Sequence, residues 1–135
     1  MQTMADRKQA VLDANRVFYE ALARADYPTM ETLWAREHDI AVIHPGWSPL
    51  HGRKAVLDAW RRIFTGASQS SLNCSEAKVY FMEDAAFVIC IERMPEGEVV
   101  ATNIFVQEHG AWKLTHHHGG LIAQIAREVS GDAVH

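Results

Sequence analysis

The feature that most constrains this chain is a change of hydrophobic period near Gly66. Before it, apolar residues recur at helical spacing; after it, they alternate as strands do. Val11, Ala14, Phe18, Leu22 and Ala25 form one stripe, opposed by Asp13, Arg16, Glu20 and Arg24, which predicts a helix over about 5–25. Asp26 is placed to cap a short second helix with Pro28 in its first turn and Met30, Leu33 and Trp34 on one side. A strand is expected at Asp39–Ile43, stopped by Pro45-Gly46. Gly52 opens a third helix carrying Val56, Ala59, Trp60, Ile63 and Phe64, and Gly66 closes it. Four strand-like runs follow, at roughly 71–82, 86–94, 98–108 and 111–118. Glu83-Asp84, Pro95-Glu96-Gly97 and His109-Gly110 supply the turns between them. Helices followed by an antiparallel meander define an α+β chain, and a sheet wrapped on helices leaves a pocket where the two meet.

The 135 residues suit one domain, expected over 1–135 with its core at about 8–120 and a tail at 121–135. A net charge of −4, without blocks of like charge, argues against nucleic acid or an anionic membrane as partner. The apolar runs are too short to span a bilayer, and residues 1–8 lack a signal-type stretch. Cys74 and Cys90 make no metal or disulfide framework, so both are expected as thiols in a reducing cytoplasm.

The most suggestive run is Trp112-Lys113-Leu114-Thr115-His116-His117-His118. Strict alternation puts Trp112, Leu114, His116 and His118 on the inner face and Lys113, Thr115 and His117 outside. Buried imidazoles need partners or a cavity, so His116 and His118 are candidate site residues. His44 ends an apolar strand before Pro45, where an imidazole can accept a proton near neutral pH or simply bond a nearby carbonyl. Trp47 follows as a pocket wall or a plug. Glu92 shares a face with Val88 and Cys90; if that face is inner, its carboxyl can orient a histidine, and if not it is a solvated strand end. Asn103 shares a face with Ala101 and Phe105, where an amide needs either a structural partner or a ligand. His38, His51, His109 and His135 fall in turns, loops or the tail and carry no case. His-x-His with His44 and Glu92 admits a metal reading, but no His-Glu-x-x-His, Cys-x-x-Cys or carboxylate cluster supports it, and neither metal nor cofactor is expected.

The element order, with Ala25-Asp26 before Leu33-Trp34, then Val42-Ile43-His44-Pro45-Gly46-Trp47, Leu50-His51-Gly52-Arg53, Ala101-Thr102-Asn103-Ile104-Phe105 and Gly110-Ala111-Trp112, resembles the SnoaL-like branch of the nuclear transport factor 2-like superfamily. The resemblance covers roughly 8–120 and implies a cone-shaped, mixed or antiparallel sheet around N-terminal helices, the cystatin-like α+β barrel. Relatives include ketosteroid isomerase, scytalone dehydratase and the calmodulin-dependent kinase association domain, so the fold alone does not select a function. By likeness to ketosteroid isomerase, His44 stands at the general-base position and Asn103 at that of the oxyanion-hole acid. Phe18 stands where that enzyme has its oxyanion tyrosine and donates no hydrogen bond. The kinase association domain has a tryptophan followed by two histidines at the positions of His116 and His118.

The expected function is a small-molecule pocket with acid–base chemistry of isomerase, dehydratase or cyclase type on an apolar, oxygenated substrate, without a cofactor. His44 is the expected base, His116 or His118 the second acid/base, and Asn103 the group polarising the substrate oxygen. Trp34, Trp47, Trp60, Cys90, Glu92 and Phe105 are expected around the substrate. The alternative is a non-catalytic association or ligand-sensing domain. A homodimer through the outer sheet face, with Phe87, Ile89 and Ile91, is expected in either case.

Overall fold

The computed structural model describes residues 2–66 and 72–123. Three helices precede a run of four long strands: α1 (Met4–Arg24), α2 (Tyr27–Leu33), β1 (Ala41–Ile43), β2 (Leu50–His51), α3 (Arg53–Gly66), β3 (Asn73–Phe81), β4 (Ala85–Met94), β5 (Gly97–Glu108) and β6 (Ala111–Leu121). Ser71, the expected start of the first long strand, lies outside the described residues, as do 124–135 of the expected tail and His135. The sequence reading did not include β2, whose two residues pair with β1 through Ala41–His51 and Val42–Leu50.

Local chemistry explains the helix starts. Thr3 and Asp6 form a capping box on α1, each side chain accepting the other's backbone N–H at 3.0–3.1 Å. Asp26 accepts the backbone N–H of Thr29 at 3.2 Å and its hydroxyl at 2.7 Å, opening α2 as expected.

The six strands form one open, mixed sheet in the order β2-β1-β6-β5-β4-β3. The meander is antiparallel, while β1 runs parallel to β6, with Ala41, Val42 and Ile43 beside His116, His117 and His118. The inner face packs on the helices, burying Trp34, Trp60, Phe18, Phe105, Met30 and Leu114. Phe87, Ile89 and Ile91 alternate with Ala86, Val88, Cys90 and Glu92 and lie half-buried on the outer face.

One irregularity in β6 overturns the expected parity. Phe105 pairs with Leu114, but Ile104 pairs with His116, so Thr115 is an extra residue, a β-bulge. Its hydroxyl donates to the Ile104 carbonyl at 3.3 Å. Beyond a bulge every side chain changes face. Trp112 and Leu114 therefore point inward as expected, but His117 and Gly119 follow them, leaving His116 half-buried and His118 exposed. Gly119 then admits Pro45: a Cβ there would lie 3.2 Å from the proline Cγ and 3.1 Å from Val99 Cγ1. That close approach seats the end of β1, and with it His44, against β6.

The link between α2 and β1 is clasped from two sides. Arg53 donates to the carbonyls of Glu31, Trp34 and Ala35 at 3.1–3.2 Å. The buried Glu108 carboxylate accepts the backbone N–H groups of Arg36 and Glu37 at 2.9 and 2.8 Å and meets His38 Nδ1 at 2.7 Å. Burial alone would raise the carboxyl pKa, but the bonds from His38 and the two backbone amides prevail and lower it to about 2. A carboxyl depressed in the folded state stabilises above its unfolded pKa of about 4.3, and that contribution is lost as pH falls towards 2. Urea unfolding at stepped pH is accordingly expected to show Glu108→Gln losing less stability than the parent chain between pH 4.5 and 2; parallel losses would contradict the clasp.

Candidate active site

A cleft of about 410 Å³ opens between the C-terminal end of α1, α3 and the inner face of the sheet. His44, Pro45, Trp47, Trp60, Phe64, Glu92 and His117 line it together with apolar side chains, and among the described residues no lysine or arginine does. Each element contributes for a local reason. β1 ends at His44 because Pro45 cannot continue a ladder, and the turn closes with Trp47 N–H on the His44 carbonyl at 2.9 Å. α3 brings Trp60 edge-on to His44, with ring centroids 4.7 Å apart at 88°. Trp47 also meets that imidazole, with ring centroids 4.8 Å apart at 65°. β4 and β6 supply Glu92 and, through the bulge, His117.

Behind the wall lies a buried polar network. Asn103 and His117 are cross-strand partners on β5 and β6, and Asn103 Oδ1 lies 2.6 Å from His117 Nδ1. The amide nitrogen of Asn103 donates to Asn15 Oδ1 at 2.9 Å and to the Tyr19 hydroxyl at 3.1 Å. Tyr19 donates to Glu92 Oε2 at 2.7 Å and accepts the Cys90 thiol at 3.4 Å. With both amide hydrogens of Asn103 engaged, its oxygen is an acceptor, so His117 carries its proton on Nδ1. His117 Nε2 is then a bare lone pair, 3.9 Å from Glu92 Oε2. The network thereby assigns the tautomer.

Burial also sets the charge states. It lowers the pKa of His44 to about 4. Burial lowers that of His117 to about 3, with neighbouring imidazoles adding to the effect. It raises Glu92 despite the bond from Tyr19, and raises Tyr19 far beyond neutrality, with the Glu92 charge adding to it. At neutral pH the cleft holds two uncharged imidazoles. His44 Nε2 and Trp60 Nε1 are buried without a hydrogen-bond partner in the described structure, a cost that a ligand with matching polar atoms relieves.

Several expectations need correction. His116 and His118 do not reach the cleft: His118 is exposed, and His116 Nδ1 donates to the Ala41 carbonyl at 3.0 Å. The ligand set imagined from them with His44 and Glu92 is not assembled, because the bulge puts them on the other face. Trp34 and Phe105 are fully buried core residues that do not line the cleft. Cys90 lies beneath it, bonded to Tyr19. Asn103 is fully buried behind the cleft wall, where its amide oxygen holds His117. The open question at Glu92 resolves inward, at 4% exposure. His117, Tyr19 and Asn15 were missed. Asn15 and Tyr19 carry a legible signal, polar groups interleaved with Val11 and Phe18 on the buried stripe of α1. His117 has none short of the bulge.

Residues 11–124 match the SnoaL-like domain family, and the chain belongs to it. A structure from Streptomyces avermitilis, described as a candidate dehydratase of the NTF2-like family, superposes with a TM-score of 0.83 at 30% identity, over 90% of this chain and 99% of that one. A candidate calcium/calmodulin-dependent protein kinase type II association domain from Thiobacillus denitrificans gives 0.74 at 29% identity, over 82% and 93%. The Arabidopsis thaliana F-box protein SKIP8 is 21% identical over 116 residues, covering 84% of this chain. The chain spans about half the length of that curated relative.

The desolvated histidines make a checkable statement. With folded pKa values of about 4 and 3 against about 6.5 unfolded, their neutral forms stabilise the fold above pH 6.5, and this is lost as pH falls towards and through 4. Nitrogen-15 NMR at pH 6 is expected to show both rings neutral, with His117 protonated on Nδ1. A His117 midpoint near 6.5, or the opposite tautomer, would contradict the network.

Proposed function

We propose that this SnoaL-like domain binds an uncharged, largely apolar compound bearing a carbonyl and a neighbouring hydroxyl, and removes water from it by paired acid–base catalysis. The carrying observation is the Glu92–His117 pair, with a bare imidazole nitrogen and a raised-pKa carboxyl 3.9 Å apart in an apolar cleft. In its protonated form Glu92 donates to the departing hydroxyl while His117 Nε2 takes the proton beside the carbonyl. A carbon–hydrogen and a carbon–oxygen bond break, a carbon–carbon double bond forms and water leaves. The imidazolium then returns its proton to the Glu92 carboxylate, which restores both groups. His44, the base expected from sequence, keeps a role at the substrate oxygen through its unpartnered ring nitrogen, with Trp47 and Trp60 as walls. Asn103 acts through His117 rather than on the substrate. The candidate-dehydratase description of the Streptomyces avermitilis relative supports the reaction class, and the absence of lysine and arginine among the described lining residues favours a neutral substrate.

A thermal-shift screen of neutral hydroxycarbonyl compounds against matched carboxylates is expected to yield neutral binders. Their turnover is expected to fall by about 10²–10⁴ in His117→Gln, the usual contribution of a positioned base. Equal turnover in that variant sinks the assignment, and binding confined to carboxylates sinks the substrate class.

A second reading, assembly, is favoured by the outer sheet face, where Tyr80 stacks on Phe87 at 5.0 Å beside Ile89, Ile91 and Val100. A homodimer through that face is compatible with a working cleft on the other. Sedimentation equilibrium at micromolar concentration is expected to give twice the chain mass, reduced to a monomer by Phe87→Glu with Ile89→Lys. A monomeric parent protein would remove this reading.

A further inference from the structure

A second cavity, of about 650 Å³, is larger than the cleft and different in chemistry. It lies where the α2–β1 link, β2 and the start of α3 meet the edge of β6. Arg36, Arg53, His38, His51 and His116 line it, and Asp39 contributes a carboxyl to its wall. Several of these groups are held in place. Arg53 is fixed by three backbone carbonyls, which orient the guanidinium without cancelling its charge. Arg36, which lines the cavity, is anchored through its backbone N–H on Glu108. His38 is held by Glu108 through Nδ1, and His116 by the Ala41 carbonyl through Nδ1, so the second ring nitrogen of each stays unengaged.

Among the described residues neither Arg36 nor Arg53 forms a salt bridge. The two are close enough that the charge on Arg36, after burial, lowers the pKa of Arg53. Asp39 in the wall, with Glu31 and Glu108 near enough to raise the pKa of Arg53, offsets part of this charge, so an anion is drawn to the guanidinium groups themselves rather than to a net positive field. A guanidinium fork matches the planar or tetrahedral array of oxygens on a carboxylate or phosphate, whereas His38 and His116, with Nδ1 already committed, donate from Nε2 only as imidazolium.

We propose that this cavity is a binding site for a small oxyanion group, a phosphate or carboxylate, with Arg36 as the principal mobile contact and His51 and His116 flanking it. It is separate from the cleft, whose lining shares no residue with it, and does not rest on the proposed dehydration.

The test is titration of the full chain with inorganic phosphate and, separately, with succinate at low ionic strength, followed by calorimetry and by the ring signals of His38, His51 and His116. Saturable binding of at least one anion is expected, weakened about tenfold by Arg36→Gln and by added salt, and unchanged in His117→Gln. Phosphate alone binding identifies a phosphoryl ligand, succinate alone a carboxylate, and both the shared oxyanion chemistry. No saturable binding of either anion overturns the proposal, and so does equal affinity in Arg36→Gln and the parent. Arg53 is left intact because it also ties the end of α2 to α3.

Discussion

The hydrogen bond between His117 Nδ1 and Asn103 Oδ1, 2.6 Å long and fully buried, is the constraint around which the site is organised. It joins two neighbouring strands, fixes one imidazole tautomer and aims the remaining lone pair at Glu92. It exists only because the Thr115 bulge turns His117 inward opposite Asn103. A single extra residue in β6 therefore decides which of three consecutive histidines is available for chemistry.

Keeping this bond requires support from the helices. A buried amide or carboxyl costs roughly 1–3 kcal/mol when its partners are missing, so a partly satisfied network would be worse than an apolar core. α1 provides the missing partners: Asn15 takes one amide hydrogen of Asn103, and Tyr19 takes the other while donating to Glu92. The helix is thus structural on its Val11–Phe18 stripe and also completes the site. The same burial that demands these partners suppresses charge on His44 and His117, so the cleft presents uncharged imidazoles at neutral pH.

The two cavities divide the domain by electrostatics. In the cleft, desolvation removes charge from the imidazoles, and among the described residues no cationic side chain lines it. At the α2–β1 link, guanidinium charge persists because an arginine cannot be neutralised near physiological pH. Glu108 and Arg53 hold that link and define its shape through backbone contacts, so the oxyanion site and the fold share their scaffold.

What the sequence determined by itself was mostly periodic. The helical stripe of α1, the Asp26 cap, the Pro45 stop and the turns between strands were legible because each follows from local backbone chemistry, and the family resemblance gave the α+β architecture. That His44, Trp47 and Trp60 line one cleft was also legible, since a strand end and a helix stripe place them without reference to register. Tertiary structure alone decided the rest. Whether Glu92 faces in or out depends on which apolar face of β4 meets the helices, and both faces are apolar. Trp34 and Phe105 became core rather than wall because both are fully buried in the packing of helices on the sheet, away from the cleft. His117 replaced His116 and His118 because a bulge shifts every later side chain by one face. That shift is set by pairing with β5 and β1, contacts between residues distant in sequence that no local pattern records.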